Sequence, residues 1–330
     1  MEKDKKAMEY AGELYAYSGW EFCKNIGIEK FLNEYSTTEE IMEKTGITNK
    51  RFLEHLLDFL VGRKVLEYNG GKYKFLKEPR KIDEEKISFL KNSYPNSLNW
   101  TNILLSKAKT TLFEGKKHFD AGFDNNEFLK TWDGMMREVP WSFRKIAIQK
   151  FMEKISENSE ILDLGCGSGV SIEQILLECR KKVSITGMDR SKESIQKAKE
   201  KFKALYKEDI SPVMKDNLKR LEFLQHDMLK PLPIGKKYDV VFMSLLLNHI
   251  PEDKRMHFFE DIKSVLKDNG IVVIYQIIHK SKLERAPMWV IHTVPTHHEF
   301  PFKDDYLNTL SSVFSNVTQY LEGTVVIAEK

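Results

Sequence analysis

The first sixty residues carry apolar side chains at helical spacing, interrupted where a helix can start or end. A helical pattern covers 5–33, and the hydroxyl and acidic residues of 36–40 are typical of the first turn of a short helix ending near Lys44. Asn49 is placed to cap a third helix, whose apolar positions continue to Leu60. The pattern therefore predicts three helices in succession.

Two short strand patterns follow at 65–68 and 72–76, joined by the turn sequence Asn69-Gly70-Gly71. Such a turn favours the positive φ angles of a β-hairpin. Three helices followed by a hairpin is the order of elements in a winged-helix domain. We assign this domain to residues 1–80.

Residues 81–150 have a mainly helical pattern and many aromatic side chains, Phe119 and Phe123 among them. We interpret this stretch as a connecting region that packs on both domains and roofs the active site. Trp132 and Met136 lie within it and are candidates for the substrate pocket, although such side chains more often pack in a core.

From residue 160 onward, strand and helix patterns alternate, as a parallel sheet with crossover helices requires. Two further strand patterns at 313–321 and 324–328 are too close in sequence to be parallel, so we predict an antiparallel hairpin at the end of the sheet. The fold class is α/β, with a Rossmann-like, mostly parallel sheet in residues 151–330. The predicted strands are 160–164, 183–188, 221–225, 238–243 and 270–277, and the predicted helices are 170–181, 191–207 and 252–267.

Composition narrows the function classes only modestly. The 330 residues include 52 basic and 49 acidic side chains, a net charge of +3 that gives no strong affinity for a polyanion. Three cysteines without a Cys-x-x-Cys pair do not indicate a disulfide framework or a structural zinc site. The chain shows no secretory signal and no run of the ~18 apolar residues typical of a membrane span. We expect a cytoplasmic protein.

A glycine-rich turn stands directly after the first strand of the predicted sheet. It reads Asp163-Leu164-Gly165-Cys166-Gly167-Ser168-Gly169 and precedes a helix. Glycines here permit a tight turn and a close backbone approach to a ligand. The spacing is neither the Gly-x-Gly-x-x-Gly of dinucleotide folds nor a phosphate loop ending in Gly-Lys.

The ends of the next three strands also carry side chains suited to a nucleoside. Asp189 ends the second strand twenty residues after Gly169, where a carboxylate can accept both ribose hydroxyls. Asp227 follows the third strand and can accept from an adenine amine, while Ser244 follows the fourth. The simpler alternatives are a helix cap for Asp189, a turn residue for Asp227 and bonds to turn amides for Asp163.

This ordered set resembles the class I S-adenosylmethionine (SAM) methyltransferases. The resemblance implies that Asp189 binds ribose and Asp227 binds adenine, with Met188 beside the adenine. It places Asp163, Gly165 and Gly167 near the methionine end, and implies SAM as cofactor and S-adenosylhomocysteine as product. Met228 and Ser244 complete the predicted cofactor-binding set.

The N-terminal pattern is similar to the dimerisation domain of plant-type and bacterial small-molecule O-methyltransferases. The resemblance implies a homodimer formed through this domain. The residues that carry it are 25–32, 37–41, 53–60, 64–67 and 71–76.

Members of that family often have a histidine base after the fourth strand, and this chain departs from the pattern. Aligned on Pro251, the base position holds Asn248, and His249 follows it. An amide is no base, whereas histidine can be one. Three interpretations stay open: His249 is the base, no strong base is needed, or a histidine of the later loop serves. His249 can equally bond backbone at the strand end.

That later loop contains His292, His297 and His298 close to Trp289, and the family resemblance implies that it covers the substrate. We take His292 as a candidate base and assign Trp289 and His297 to the substrate pocket. Adjacent histidines on one loop seldom bind a metal without a third ligand, so the sequence predicts no metal site.

The sequence therefore predicts SAM-dependent methyl transfer to a small, apolar or aromatic acceptor, with oxygen favoured and sulfur, nitrogen or carbon open. One alternative is a relative that uses SAM for decarboxylation or hydroxylation. Another is a nucleic-acid methyltransferase with the winged helix as its DNA-binding module. We do not expect nucleic acid or membrane as a partner.

Overall fold

The computed structural model describes residues 2–115, 126–233, 235–294 and 296–330 of the chain. Two compact units are present, and both are discontinuous in sequence. Unit 1 comprises Met1–Gly122 and His279–His297, and unit 2 comprises Phe123–Ile278 and His298–Lys330. Phe119 and Phe123 of the predicted connecting region lie outside the described residues.

Unit 1 contains five helices and a two-stranded sheet among its described residues, together with the 3₁₀ turns Ile28–Phe31 and Trp289–Thr293. The hairpin is antiparallel, and Leu66 pairs with Phe75. The three helices and hairpin expected from the sequence are present in that order. The elements are α1 (Glu2–Asn25), α2 (Thr38–Thr45), α3 (Lys50–Gly62), β1 (Leu66–Asn69), β2 (Lys72–Phe75), α4 (Glu84–Ser93) and α5 (Pro95–Glu114).

Local capping explains where the short helices of unit 1 begin. The Thr37 hydroxyl accepts from the Glu40 amide at 3.1 Å, and the Glu40 carboxylate accepts from the Thr37 amide at 2.7 Å. This reciprocal capping box pairs two backbone donors that the first turn cannot satisfy. The Asn49 side chain caps α3 by accepting from the Phe52 amide at 3.1 Å. Both helix starts were predicted from these residues.

Unit 2 alternates strand and helix, as predicted. The helix expected at 252–267 is shorter because a 3₁₀ turn, Glu252–Lys254, precedes it, and β7 already begins at Leu266. The elements are α6 (Asn126–Met136), α7 (Val139–Met152), β3 (Ser159–Leu164), α8 (Val170–Glu178), β4 (Val183–Asp189), α9 (Lys192–Leu205), α10 (Pro212–Lys219), β5 (Leu221–Gln225), β6 (Tyr238–Ser244), α11 (Arg255–Val265), β7 (Leu266–Tyr275), α12 (Lys303–Val313), β8 (Ser315–Tyr320) and β9 (Val325–Glu329).

One seven-stranded sheet organises unit 2, in the order β5-β4-β3-β6-β7-β9-β8. Strands β3 to β7 are parallel, whereas β9 runs antiparallel to both β7 and β8. The strand order reverses beside β3, and such a switch point opens a crevice at the carboxyl ends of the strands. The predicted Rossmann-like fold class, with its antiparallel C-terminal hairpin, is confirmed.

Helices cover both faces of this sheet. On one face, apolar side chains of β3, β6, β7 and β9 pack in one core with Phe259 and Ile262 of α11 and Leu310 of α12. On the other face, Phe151 of α7 lies 5.7 Å from the Phe242 ring of β6. The sheet is thus packed against helices on both faces. Within the described residues, no helix is long and apolar enough to cross a bilayer.

Candidate active site

The glycine turn after β3 is closed by backbone bonds to β4. The amides of Gly165 and Cys166 both donate to the Met188 carbonyl, at 2.8 and 3.0 Å. Gly165 and Gly167 have φ angles of 70° and 54°, which favour glycine. The turn therefore lies against the tips of both strands, where the sequence analysis expected it.

The two glycines differ in what surrounds them. A Cβ on Gly165 would come within 2.7 Å of Leu246, so this glycine is needed for close packing after β6. A Cβ on Gly167 would meet nothing within 4 Å. Gly167 therefore borders open space at the strand tips, where a ligand can approach the backbone.

The acid at the end of β4 supports the same turn. One Asp189 oxygen accepts from the Gly167 amide at 2.9 Å, and the other accepts from the Ser191 amide at 2.8 Å. The cap of α9 is Ser191, whose hydroxyl accepts from the Ser194 amide. Asp189 is therefore not the helix cap that the simpler interpretation required.

Asp227 has a turn role in the described structure. Its carboxylate accepts from the Leu229 amide at 3.1 Å, and its carbonyl accepts from the Lys230 amide at 2.9 Å. Met188 and Met228 are buried in the apolar core of unit 2. The predicted contacts of these three residues with adenine stay predictions.

Asp163 is fully buried at the end of β3, and a single described hydrogen bond reaches its carboxylate. The Ser171 hydroxyl donates to Oδ2 at 2.5 Å, while Oδ1 has no partner among the described residues. Burial raises the pKa of Asp163 to about 7, although the Ser171 bond and the nearby Arg144 lower it in part. A buried oxygen without a donor is costly, so this atom is suited to a ligand cation or N–H group.

Arg144 of α7 is a second buried charged group, and the sequence analysis did not single it out. Its Nε donates to Gln174 at 2.7 Å and its Nη2 to the Met136 carbonyl at 3.0 Å, whereas Nη1 has no partner in the described part of the chain. Burial lowers the pKa of Arg144 to about 10, which keeps it charged at neutral pH. The one sequence signal for a buried Arg144 is its position on a helix with an otherwise apolar pattern.

The end of β6 carries a pair of buried amide side chains. The Leu247 amide donates to Gln276 Oε1 at 3.1 Å, while Gln276 Nε2 donates to Asn248 Oδ1 at 3.1 Å and to the Ile277 carbonyl at 3.0 Å. These backbone partners fix which end of Gln276 is the oxygen. The oxygen of Asn248 is therefore an acceptor toward Gln276, and its nitrogen is the end that can donate.

The remaining predicted residues of unit 2 lie near these strand ends or on the helix before them. His249 is half-buried in the 3₁₀ turn after β6, and its amide donates to the Leu246 carbonyl at 2.9 Å. The Ser244 hydroxyl is buried without a partner among the described residues. On α6, Trp132 stacks on Phe128, and Met136 is buried.

Three predicted residues of the later loop belong to unit 1 rather than unit 2. Trp289, His292 and His297 are all buried there. The Trp289 indole donates to the Tyr15 carbonyl at 3.2 Å. Their predicted roles in the substrate pocket and as a base stay predictions.

The buried groups of unit 2 fit the methionine end of SAM. Asp163 Oδ1 and Ser244 Oγ can accept from an ammonium group, and Arg144 Nη1 can donate to a carboxylate. Gly167 leaves room for a close backbone approach. Burial raises the pKa of the Cys166 thiol well above the usual value, which disfavours the thiolate form.

Residues 155–311 match a protein family described as a methyltransferase domain. Within this range the chain is similar to methyltransferase domains. This match runs from the residues before β3 into α12 and includes the glycine turn, Asp189, Asp227 and the Asn248-His249 pair.

The sequence relatives of this segment are named for several different activities. Carboxy-S-adenosyl-L-methionine synthase of Actinobacillus pleuropneumoniae is 25% identical over 203 residues, 60% of this chain and 78% of the relative. Ubiquinone biosynthesis O-methyltransferase of Pelagibacter ubique is 29% identical over 127 residues, covering 37% of this chain and 43% of the relative. Ribosomal protein L11 methyltransferase of Thermosipho melanesiensis is 31% identical over 137 residues, covering 41% of this chain and 44% of the relative.

Solved structures share the fold over nearly the whole chain. The CurJ carbon methyltransferase aligns with a TM-score of 0.70 at 17% identity, covering 99% of this chain and 92% of that one. An O-methyltransferase family 2 protein of Planctomyces limnophilus, in complex with apigenin, has a TM-score of 0.56 at 15% identity, covering 99% and 94%. At these identities the likeness is one of fold. Together with the matched family, these findings support the predicted cofactor, SAM.

Proposed function

We propose that this protein transfers the methyl group of SAM to a small acceptor molecule, with oxygen as the favoured methylated atom. The observation that carries this proposal is the convergence of the glycine turn, Asp163 and Asp189 at the carboxyl ends of neighbouring strands within a segment similar to methyltransferase domains. Two sequence relatives are O-methyltransferases by name. They are the ubiquinone biosynthesis O-methyltransferase and a malonyl-[acyl-carrier protein] O-methyltransferase.

Bound SAM would supply a sulfonium whose methyl group is open to direct displacement by a nucleophile. The residues that would hold it are Asp189 at the ribose and the backbone of Gly165 and Gly167 at the methionine end. Asp163 would accept from the ammonium group, and Arg144 would donate to the carboxylate. Because such a donor needs little activation, the protein contributes mainly by alignment and by excluding water.

The acceptor would stand at the end of β6, near Asn248 and His249. Gln276 Nε2 donates a hydrogen bond to the Asn248 oxygen. The Asn248 amide therefore acts toward an acceptor molecule as a hydrogen-bond donor through its nitrogen, and not as a base. His249 is the remaining candidate base on this turn. We propose that it deprotonates acidic acceptors, while Asn248 orients them.

The same amide pair supports a second candidate, a reaction that needs no enzymic base. An acceptor that is already anionic when bound would require only the donor Asn248. A member that uses SAM without consuming it, for decarboxylation or hydroxylation, would also fit. The N-terminal domain supports neither alternative specifically, and we propose that it is a winged-helix dimerisation domain of a cytoplasmic homodimer.

The first test is calorimetry with S-adenosylhomocysteine, followed by incubation of methyl-deuterated SAM with a panel of phenols, thiols and 1,3-dicarbonyl compounds. We expect saturable binding and label in at least one acceptor, with S-adenosylhomocysteine as coproduct. Absence of binding to folded protein would refute the proposal. A product formed while SAM stays intact would favour the non-methylating alternative.

The second test separates the two side chains after β6. On an acceptor identified in the panel, His249→Ala should lower kcat by about 10²–10⁴-fold if His249 is the base. Asn248→Ala should mainly raise KM. Equal rates for His249→Ala and the wild-type protein would show that no base is needed there.

A further inference from the structure

Arg255, the first residue of α11, is buried beside the turn that follows β6 in unit 2. It is only 6% exposed, although arginine is rarely buried to this extent. Given the proposed function of methyl transfer, on which this role rests, we propose that Arg255 is a positioning residue for the reaction. It fixes the turn 247–250, which carries Asn248 and His249. It also joins this turn to the backbone of the segment 298–299.

The Arg255 guanidinium donates to three backbone carbonyls. Nε lies 3.3 Å from the Ile250 oxygen, and Nη2 lies 3.5 Å from the Leu247 oxygen and 2.8 Å from the Glu299 oxygen. The bond to Glu299 has the usual length for a nitrogen donor, and the other two are longer. Because the guanidinium directs its donors in a rigid fork, it holds two separate stretches of backbone at a defined spacing.

Two carbonyls of the turn have partners outside it. The Asn248 carbonyl accepts from the His298 amide at 2.8 Å, and the Ile250 carbonyl accepts from Arg255. Asn248 and Ile250 are both buried, and a buried carbonyl that loses its partner costs free energy. The shape of the turn therefore depends on Arg255 and on the segment 298–299.

Gln276, directly after β7, binds different groups of the same turn. Its Oε1 accepts from the Leu247 amide, and its Nε2 donates to Asn248 Oδ1. Gln276 therefore sets how the Asn248 side-chain amide is turned. Arg255 acts on the carbonyls and sets where the backbone that carries this amide lies. Both conditions are needed for the Asn248 nitrogen to face an acceptor molecule.

Loss of Arg255 should displace Asn248 and His249 together, because both side chains stand on the turn. A displacement of about 1 Å at a positioning group can cost roughly 10²-fold in rate. Arg255 is not among the residues proposed to hold SAM, so cofactor affinity should stay unchanged. General destabilisation has a different signature, since it lowers the amount of active protein but alters neither the KM nor the Kd of the folded fraction.

The test compares Arg255→Met and Arg255→Lys with Lys263→Met in the full-length protein. Lys263 is the matched control, because it lies on the same helix and its Nζ donates to the Val313 carbonyl at 2.5 Å. Arg255→Met should raise the KM of a methylated acceptor and lower kcat, each by at least about tenfold. Arg255→Lys should do so less, since it keeps the charge but not the fork. The Kd for S-adenosylhomocysteine should change by less than about twofold in all three variants.

A double-mutant cycle with Asn248→Ala measures whether Arg255 acts through Asn248. The rise in acceptor KM caused by Asn248→Ala should be at least about threefold smaller in the Arg255→Met background than in the wild-type protein. The reason is that the amide is already displaced there. Effects that simply multiply, as those of independent sites do, would overturn the proposal. Unchanged KM and kcat in Arg255→Met relative to Lys263→Met would also overturn it.

Hydrogen exchange of the turn needs no acceptor and remains decisive if Arg255→Met folds poorly. The His249 and Ile250 amides donate to the Leu246 and Leu247 carbonyls within the turn. In Arg255→Lys these two amides should exchange at least about tenfold faster than in Lys263→Met. Equal exchange in the two variants would overturn the role of Arg255. Wild-type protein that transfers no methyl group would instead refute the proposed function, and the exchange measurement would still test the positioning.

Discussion

The strand-tip site of unit 2, formed by Asp163, Gly167 and Asp189, and the histidine pair His55 and His292 of unit 1 both bring polar groups together, but they are assembled differently. In unit 2, Asp163 and Asp189 lie at the ends of strands that are neighbours in the sheet, and Gly167 lies in the turn after the first of them. In unit 1, His55 meets His292, 237 positions away in the chain. The first is recognisable from periodicity and spacing, whereas the second is visible only after folding.

The two units also differ in how the oxygens of their buried carboxylates are hydrogen-bonded. The carboxylate of Asp163 keeps one oxygen without a partner among the described residues, as a ligand site can. The buried carboxylate of Asp58, on the same helix as His55, is bonded on both oxygens, by Tyr73 at 2.6 Å and by Arg285 at 2.9 Å. We therefore expect Asp58 to contribute to stability and Asp163 to ligand binding.

The largest expected effect is that of Asp58→Ala. Burial raises the pKa of Asp58, while Tyr73 and Arg285 oppose this shift by stabilising the carboxylate. Removal of the carboxylate would leave the buried Arg285 guanidinium without its anion. We expect the free energy of unfolding to fall by about 3–5 kcal/mol. Urea denaturation followed by near-UV circular dichroism measures this.

A matched control for Asp58 is the exposed pair of Glu39 and Lys50, in which Glu39 Oε1 lies 2.5 Å from Lys50 Nζ. Glu39→Ala should lower the free energy of unfolding far less than Asp58→Ala, because solvent screens this pair. Equal costs for the two variants would show that burial does not distinguish them.

The next effect concerns Gly167→Ala in the strand-tip site. A Cβ there meets no protein atom, but it enters the space assigned to the cofactor. We expect the Kd for S-adenosylhomocysteine to rise by about 30- to 150-fold, equivalent to roughly 2–3 kcal/mol. Isothermal titration calorimetry measures the change.

Gly46→Ala in unit 1 is the control for backbone strain. Gly46 has a φ of 75°, and a Cβ on it would likewise meet nothing within 4 Å, so the substitution carries a similar left-handed penalty. It should lower stability without changing ligand affinity. Loss of affinity in both variants would mean that strain, not occupancy, explains Gly167→Ala.

A smaller effect is expected for the pH dependence of stability, to which Asp163 contributes. Its pKa of about 7 in the folded protein is above the ordinary value of 3.8. The stability that this raised pKa contributes to the folded protein is fully present below the unfolded pKa of 3.8. It is lost as the pH rises through about 7. The free energy of unfolding should fall by about 1.4 kcal/mol for each pH unit between roughly pH 5 and 7.

Asp163→Asn should remove this slope, and denaturation curves at several pH values can show whether it does. Binding of S-adenosylhomocysteine should tighten from pH 6 to 8 in the wild-type protein, since the ionised carboxylate attracts the ammonium group. A wild-type slope that persists in Asp163→Asn would assign the titration to another group.

The smallest effect is that of Thr37→Ala, which removes the capping box of α2. Loss of one cap typically costs about 1 kcal/mol. Thr45→Ala, in the last turn of the same helix, should change stability by less, because the Thr45 hydroxyl only donates to the Ile41 carbonyl. Thermal denaturation of both variants gives the comparison, and a larger loss for Thr45→Ala would contradict it.

Much of the fold could be predicted because local signals agree with one another. The Thr37 and Asn49 caps, the Asn69-Gly70-Gly71 turn and the alternation after residue 160 each act within a few residues. Arg144 and Gln276 could not be recognised in the same way. Their importance comes from Asp163, Met136 and Asn248, which are brought next to them only by packing.

By itself, the sequence determined the order of elements, the Rossmann-like sheet and the strand ends that carry the glycine turn and its acids. Those features follow from hydrophobic period and turn chemistry, which act over short distances along the chain. Tertiary structure alone decided that His279–His297 belongs to unit 1 and that His55 of α3 lies beside His292. Contacts between residues so far apart depend on how whole elements pack, and no local pattern encodes them.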